Sequence, residues 1–372
     1  MTWFQFLIIV LVTIVPSFLV SVMAVAVVRR AAERLGLLDK PGARKVHTTP
    51  IPLGGGLGIW AGVVSTFGLG TFGVWLMQST PAVAALFPES LVQHAPGLLD
   101  KAVELWVLIG CATVLMLLGL TDDRRWLPWQ VRIAVEFAVA AFCVYYQGLQ
   151  LTAFIHAPWF TSFLSVLWIV ALINSFNMLD NMDGLSGGVA AISSTVLAVM
   201  LLSGGGTARP QLFVAAMLLV LVGSLLGFLV HNRPPAKIFM GDAGSYLVGF
   251  WIATASLLAT YAGSQGETPH AVLAPLCVLA VPLYDMLSVI GIRLNEGRSP
   301  FEGDKRHFSH RLVDLGMTKP QAVMTIYLTT LTCSLGALLL PRVDWVGAII
   351  ILLSTASVLA LVAVLETVGR KS

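Results

Sequence analysis

Long apolar runs alternate along the chain with short polar connections, and the polar residues crowd into every second connection. A helix needs roughly 20 mainly apolar residues to cross a bilayer. On that template the runs predict crossings over about 3–28, 53–78, 102–121, 129–147, 158–176, 185–203, 211–230, 244–262, 271–291, 321–340 and 345–366. The expected fold is all-α: a polytopic integral membrane protein of about 11 transmembrane helices, with residues 1–372 as one multispanning domain. No internal repeat, low-complexity tract or heptad pattern breaks the series.

Composition agrees, with 57% hydrophobic and only 11% charged residues and a mean hydropathy of +0.87, outside the range of soluble globular domains. Basic residues mark the cytoplasmic side of membrane proteins. If the connection after the first run is cytoplasmic, all of the 22 Lys and Arg residues except Lys101, Arg209 and Arg342 fall on that side. This predicts an inner (plasma) membrane protein with its N-terminus outside and its C-terminus in the cytoplasm. The first run lacks a basic start and ends on "VVRR", which reads as an anchor rather than a cleaved signal. Cys111, Cys143, Cys277 and Cys333 lie far apart within runs and read as packing residues.

Nearly all the side chains that could do chemistry lie in the inner connections, so an active site is expected at the cytoplasmic face. In "NSFNMLDNMDGLSGG" (174–188), Asn177, Asp180 and Asp183 are spaced i, i+3, i+6, a ladder on one face if helical. Capping of the sixth run by Asp183 would explain one carboxylate but not two plus an amide. The "GLTDDRR" stretch ends the third run with Asp122 and Asp123. Neighbouring helical residues point about 100° apart, so both reach one centre only if that turn is distorted. An interfacial charge cluster with Arg124 and Arg125 is the plainer alternative.

Asp242 in "KIFMGDAGS" stands between two glycines at the start of the eighth run, where free N–H groups favour an anion such as a diphosphate. Phe239 sets a flat ring nearby. "DKRHFSHR" offers Arg306, His307, His310 and Arg311, and the arginines favour phosphate over a two-histidine metal site. Lys45 and His47 precede the triple glycine Gly54–Gly56, but no G-K-[ST] follows, so this is not a nucleotide P-loop. Asp285 lies inside the ninth run, a functional candidate by position, and the Gly223/Gly227 pair suits helix packing. Carboxylates for one Mg²⁺, cations for phosphates and a lipid surround suit a soluble diphosphate donor and a lipid acceptor. An ion-coupled transporter would keep its polar groups near the midplane and show repeats.

In order and context these motifs, over roughly residues 36 to 320, resemble the polyprenyl-phosphate N-acetylhexosamine-1-phosphate transferases, which start bacterial envelope glycan pathways including lipopolysaccharide. The resemblance implies transfer of an N-acetylhexosamine-1-phosphate, foremost GlcNAc-1-phosphate, from a UDP-N-acetylhexosamine to undecaprenyl phosphate in the membrane, releasing UMP. It implies Mg²⁺, with Mn²⁺ as a substitute, no nucleic-acid partner, and leaves room for a homodimer. By position, Asp122 and Asp123 match an aspartate pair acting on the lipid phosphate, and Asn177 and Asp242 match the metal–diphosphate centre. Phe239 matches a ring that stacks on uracil; Asp180 and Asp183 fall on a "DGxDG" element. Lys45 and Arg132 match basic positions near phosphates, and His307, His310 and Arg311 match an H-x-H-H-R loop that contacts the sugar phosphate. Two residues depart from the pattern. Asn181 replaces the first glycine of "DGxDG", and Ser309 replaces the middle histidine of "HxHH", which argues against the phospho-MurNAc-pentapeptide enzyme.

Overall fold

The computed structural model describes residues 3–39, 50–86, 92, 95–151, 157–204, 210–259, 269–303 and 305–368. The main helices are α1 (Trp3–Ala31), α2 (Gly55–Ser79), α3 (Ala102–Arg125), α4 (Trp129–Gln147), α5 (Pro158–Leu179) and α6 (Leu185–Leu202). They continue with α7 (Leu212–Asn232), α8 (Gly241–Leu258), α9 (Ala280–Asn295), the short α10 (Phe308–Asp314), α11 (Lys319–Ala337) and α12 (Trp345–Val368). A two-residue pair, β1 (Leu38–Asp39) with β2 (Ile51–Pro52), is antiparallel. The chain is an all-α polytopic membrane protein.

Among the described residues nine helices are long and apolar enough to cross a membrane, or ten if one bent pair is a single crossing. The eleven crossings expected from the apolar runs differ from this in two places. The eighth run forms α8, whose 18 residues open on the polar stretch Gly241 to Ser245 and which is not among the nine. The ninth run is broken: Pro269–Val278 meets α9 at 65°. Pro282 has no N–H to offer the carbonyl of Val278, so the helix cannot run through. That carbonyl accepts instead from Ser193 Oγ at 3.2 Å and Ser334 Oγ at 3.4 Å, a compensation that hydrocarbon surroundings require.

Helix α8 lies in the interior, with Tyr246, Phe250 and Trp251 buried, and packs against α3 and α5. In lipid, helices associate by close packing rather than by a hydrophobic drive, so small residues mark the contacts. A Cβ at Gly119 of α3 would lie 2.3 Å from the Asp242 carbonyl carbon, and one at Gly56 of α2 would lie 2.2 Å from the Gly244 nitrogen. Gly223 and Gly227 of α7 give α1 its seat: a Cβ at Gly223 would lie 2.0 Å from Ser17 Oγ. Opposite faces of α1 and α12 expose apolar side chains such as Leu11, Met23, Leu353 and Leu361, suited to lipid. All four cysteines are free and buried.

Gly119→Ala is expected to destabilise the fold by about 1–3 kcal/mol through overpacking of α3 on α8. Thermal unfolding in detergent measures it, with Gly110→Ala on the same helix, where no atom lies within 4 Å of the added carbon, as the control that stays near wild type.

Candidate active site

The polar end of the bundle forms where the C-terminal ends of α3 and α5 meet the N-terminal end of α8. Asp122 and Asp123 both reach the Asp242 segment, and no distorted turn is needed, because their different directions serve two neighbours there. Asp122 Oδ2 accepts from Arg132 Nη1 of α4 at 2.7 Å, and its Oδ1 accepts from the Leu127 N–H at 2.6 Å. Asp123 turns to α8, where its Oδ1 accepts from the Asp242 N–H at 3.0 Å and its Oδ2 from the Ala243 N–H at 3.3 Å. The start of α8, expected to receive a diphosphate, is thus occupied by the chain's own carboxylate. Gly241 permits this approach: its φ is +73°, and a Cβ there would lie 2.6 Å from Asp123 Oδ2, a position only glycine fills readily.

Asp242, in the first turn of α8, accepts from Asn177 Nδ2 at 2.7 Å, and that amide also donates to Ser245 Oγ at 3.1 Å. The other Asp242 oxygen lies 3.8 Å from Arg132 Nη1, beyond hydrogen-bond reach. Asp122, Asp123 and Asp242 are close enough to act on one another's charge. The triple glycine docks on the same segment, since Gly55 and Gly56 N–H groups donate to the Phe239 and Met240 carbonyls. Phe239 itself is half-buried. Lys45 and His47 lie outside the described residues.

The predicted ladder of Asn177, Asp180 and Asp183 on one helix does not form, because α5 ends at Leu179 and α6 starts at Leu185. Asp180 caps the end of α5. Burial, and then the negative charge of Asp123, pushes its carboxyl up to about 7, with the Gly241 N–H working the other way. Asp183 does not cap α6; its Oδ2 accepts from the Ala236 N–H at 2.9 Å. Asn232, unremarked in the sequence, ties the turn by accepting from the Gly184 N–H and donating to the Ile238 carbonyl, both at 2.8 Å.

The basic segment is held by buried acids. Asp285 of α9 accepts from the Phe308 N–H at 2.6 Å and pairs with His307 Nδ1 at 2.9 Å. Helix α10 begins only at Phe308, so the two histidines are not on one helical face, and their ring centroids are 6.2 Å apart. Arg311 is only 5% exposed: its guanidinium reaches Glu366 Oε2 of α12 at 2.8 Å, Ser288 Oγ at 2.9 Å and the Arg306 carbonyl at 2.5 Å. Arg306 pairs with Glu296. In this arrangement Arg311 anchors its loop, and the sequence reading missed its partner. An acidic residue inside the last apolar run was the available signal. The same signal marks Glu136 of α4, buried and accepting from Asn174 Nδ2 at 2.5 Å.

Among the described residues no three His, Cys, Asp or Glu side chains group as a ready metal cage. Mg²⁺ does not require one, as it commonly takes one or two protein oxygens plus waters and substrate phosphates. The donors gathered here are hard oxygens without sulfur, and the carboxylates around Asp242 exceed the one guanidinium, Arg132, in contact with them among the described residues.

A multi-pass membrane bundle with an acidic polar centre at one end of its helices is the class that fold and site define. Residues 105–260 match glycosyl transferase family 4. The chain is 31% identical over 353 residues, covering 92% of itself and 89% of the relative, to the "Probable undecaprenyl-phosphate N-acetylglucosaminyl 1-phosphate transferase" of Bacillus subtilis (strain 168). It is 31% identical over 335 residues (87% and 82%) to the undecaprenyl-phosphate alpha-N-acetylglucosaminyl 1-phosphate transferase of Escherichia coli (strain K12). The Yersinia pestis protein of the same name is 30% identical over 342 residues (89% and 82%). The chain belongs to glycosyl transferase family 4.

Asp285→Ala leaves His307 and the Phe308 N–H buried without their partner, and is expected to cost about 3–5 kcal/mol in thermal unfolding. Asp180 gives a pH signature. A carboxyl raised from its ordinary 3.8 to about 7 contributes stability at low pH that is lost as pH rises through the folded value. In chelator-treated protein, the gain in melting temperature from Asp180→Asn should therefore grow between about pH 4 and about pH 7 and level off above.

Proposed function

We propose that the whole chain acts as one transferase domain, moving GlcNAc-1-phosphate from UDP-GlcNAc to undecaprenyl phosphate and releasing UMP, the first membrane step of a cell-envelope glycan pathway. The observation that carries this reading is the convergence of Asp122, Asp123, Asn177 and Asp242 with Arg132 at one end of an apolar bundle. Relatives whose names specify undecaprenyl phosphate and N-acetylglucosaminyl 1-phosphate support the choice of substrates. The charge pattern supports placing this end at the cytoplasmic face of the inner membrane, where a nucleotide sugar is available.

In this reading the acceptor's phosphate oxygen attacks the sugar-side phosphorus of the donor in line. A bond forms from that oxygen to phosphorus, the bond from phosphorus to the UMP oxygen breaks, and UMP leaves with the electron pair. A phosphate monoester is largely ionised near neutral pH, so the aspartate pair has only to finish deprotonation and orient the nucleophile. Arg132, held by Asp122, lies where it can draw the lipid phosphate towards Asp242. Phe239 would stack on uracil and His310 would contact the sugar phosphate, while His307 and Arg311, held by Asp285 and Glu366, position that loop. Asp242 and Asn177 would hold Mg²⁺, or Mn²⁺ in its place. When bound, the ion neutralises diphosphate charge and eases departure of UMP. A single displacement needs no aspartyl-phosphate.

Purified protein with Mg²⁺, undecaprenyl phosphate and a panel of UDP-N-acetylhexosamines is expected to release UMP fastest with UDP-GlcNAc and to form a lipid diphosphate-sugar. Asp242→Asn should lower that rate by about 10²–10³-fold, and chelation should abolish it until Mg²⁺ is restored. Failure with every UDP-sugar, or an undiminished Asp242→Asn variant, would overturn the reading.

A further inference from the structure

Asn181 and Ser309 are 128 positions apart, yet Ser309 Oγ donates to Asn181 Oδ1 at 2.5 Å. The amide is oriented from behind: Asn181 Nδ2 donates to the Met178 carbonyl at 2.8 Å, which turns the oxygen towards Ser309. Ser309 is 1% exposed, so its hydroxyl has no water to replace a lost partner. The bond joins segments of opposite character. Asn181 follows Asp180 in the acidic turn, and Ser309 sits between His307 and His310 in the basic segment. Asp285 holds the start of α10 and Glu366 holds Arg311; Asn181 therefore supplies a tie on the side facing the acidic centre.

The bond needs a side-chain acceptor at 181 and a hydroxyl at 309, which neither glycine nor alanine supplies. Glycine at 181 together with histidine at 309 would roughly conserve the summed side-chain volume of the pair.

We propose that Asn181 and Ser309 form a positioning pair that sets the spacing between Asp180 and His310, and thereby the fit of the donor's sugar-phosphate end. The proposal rests on the transferase reading above. Neither residue is assigned a contact with substrate; both act through their neighbours.

The test uses the full chain in detergent and the variants Asn181→Gly, Ser309→Ala, Ser309→His and the double Asn181→Gly/Ser309→His. Two readouts are taken: steady-state kinetics with UDP-GlcNAc and undecaprenyl phosphate, and amide hydrogen exchange across residues 306–312 without substrate. Asn181→Gly and Ser309→Ala are each expected to raise KM for UDP-GlcNAc about tenfold with kcat within about twofold, and to speed exchange in that segment. Ser309→His alone, crowded against Asn181, should do worse. The double variant should return to within about threefold of wild type. Losses that add in the double variant, unchanged KM in both single variants, or a loss confined to kcat would overturn the pair. If wild type turns over no UDP-sugar, the transferase reading fails, and exchange alone then decides: acceleration in the single variants with reversal in the double supports the tie, and unchanged exchange sinks it. A variant that merely unfolds shows fast exchange through all its helices rather than in 306–312.

Discussion

The carboxylate of Asp123 closes the start of α8 by accepting the N–H groups of Asp242 and Ala243. The first N–H groups of a helix have no partner within it, and leaving such groups unsatisfied in hydrocarbon costs several kcal/mol each. One side chain at the end of α3 meets that need and thereby fixes where α8 begins. The position of Asp242 beside Asn177 and Ser245 follows from it. So does the demand for glycine at 241, where the backbone is left-handed, and at 119, where α3 passes against the Asp242 carbonyl carbon. The acidic centre is therefore less a collection of free ligands than a joint between helices whose outward oxygens remain for chemistry.

The same economy governs the basic side. Asp285, Glu366 and the Val278 carbonyl are polar groups in an apolar body, and each is answered by a specific donor: His307 and Phe308, Arg311, Ser193 and Ser334. Buried pairs of this kind add little net stability over a packed apolar alternative, but breaking one is expensive. Their effect is to allow one placement of α10 and to penalise others. Residues that look like phosphate ligands in the sequence, His307 and Arg311 above all, take part in that placement.

Most of the architecture could be read from the apolar runs, because hydrocarbon leaves a crossing chain few options besides a helix of sufficient length. The break at Leu279 was hidden, since a single proline inside a long run signals a kink only when the neighbours that answer the freed carbonyl are known. The acidic half of the centre was legible because Asp122, Asp123, Asn177 and Asp242 all sit at helix ends. Its internal wiring was not. A spacing of i, i+3, i+6 suggested a continuous helix through Asp183, whereas Gly184 in a left-handed conformation marks a turn between two helices. Partners such as Glu366 for Arg311 and Asn181 for Ser309 lie 55 and 128 residues apart, a distance over which local pattern carries no information.

Among the described helices long and apolar enough to cross a membrane, α12 is the least enclosed, yet through Glu366 it grips Arg311 of the basic segment. The acyl chains around that helix thus have a mechanical linkage to the histidine-bearing loop. The Glu366–Arg311 pair ties the orientation of a lipid-facing helix to the placement of α10.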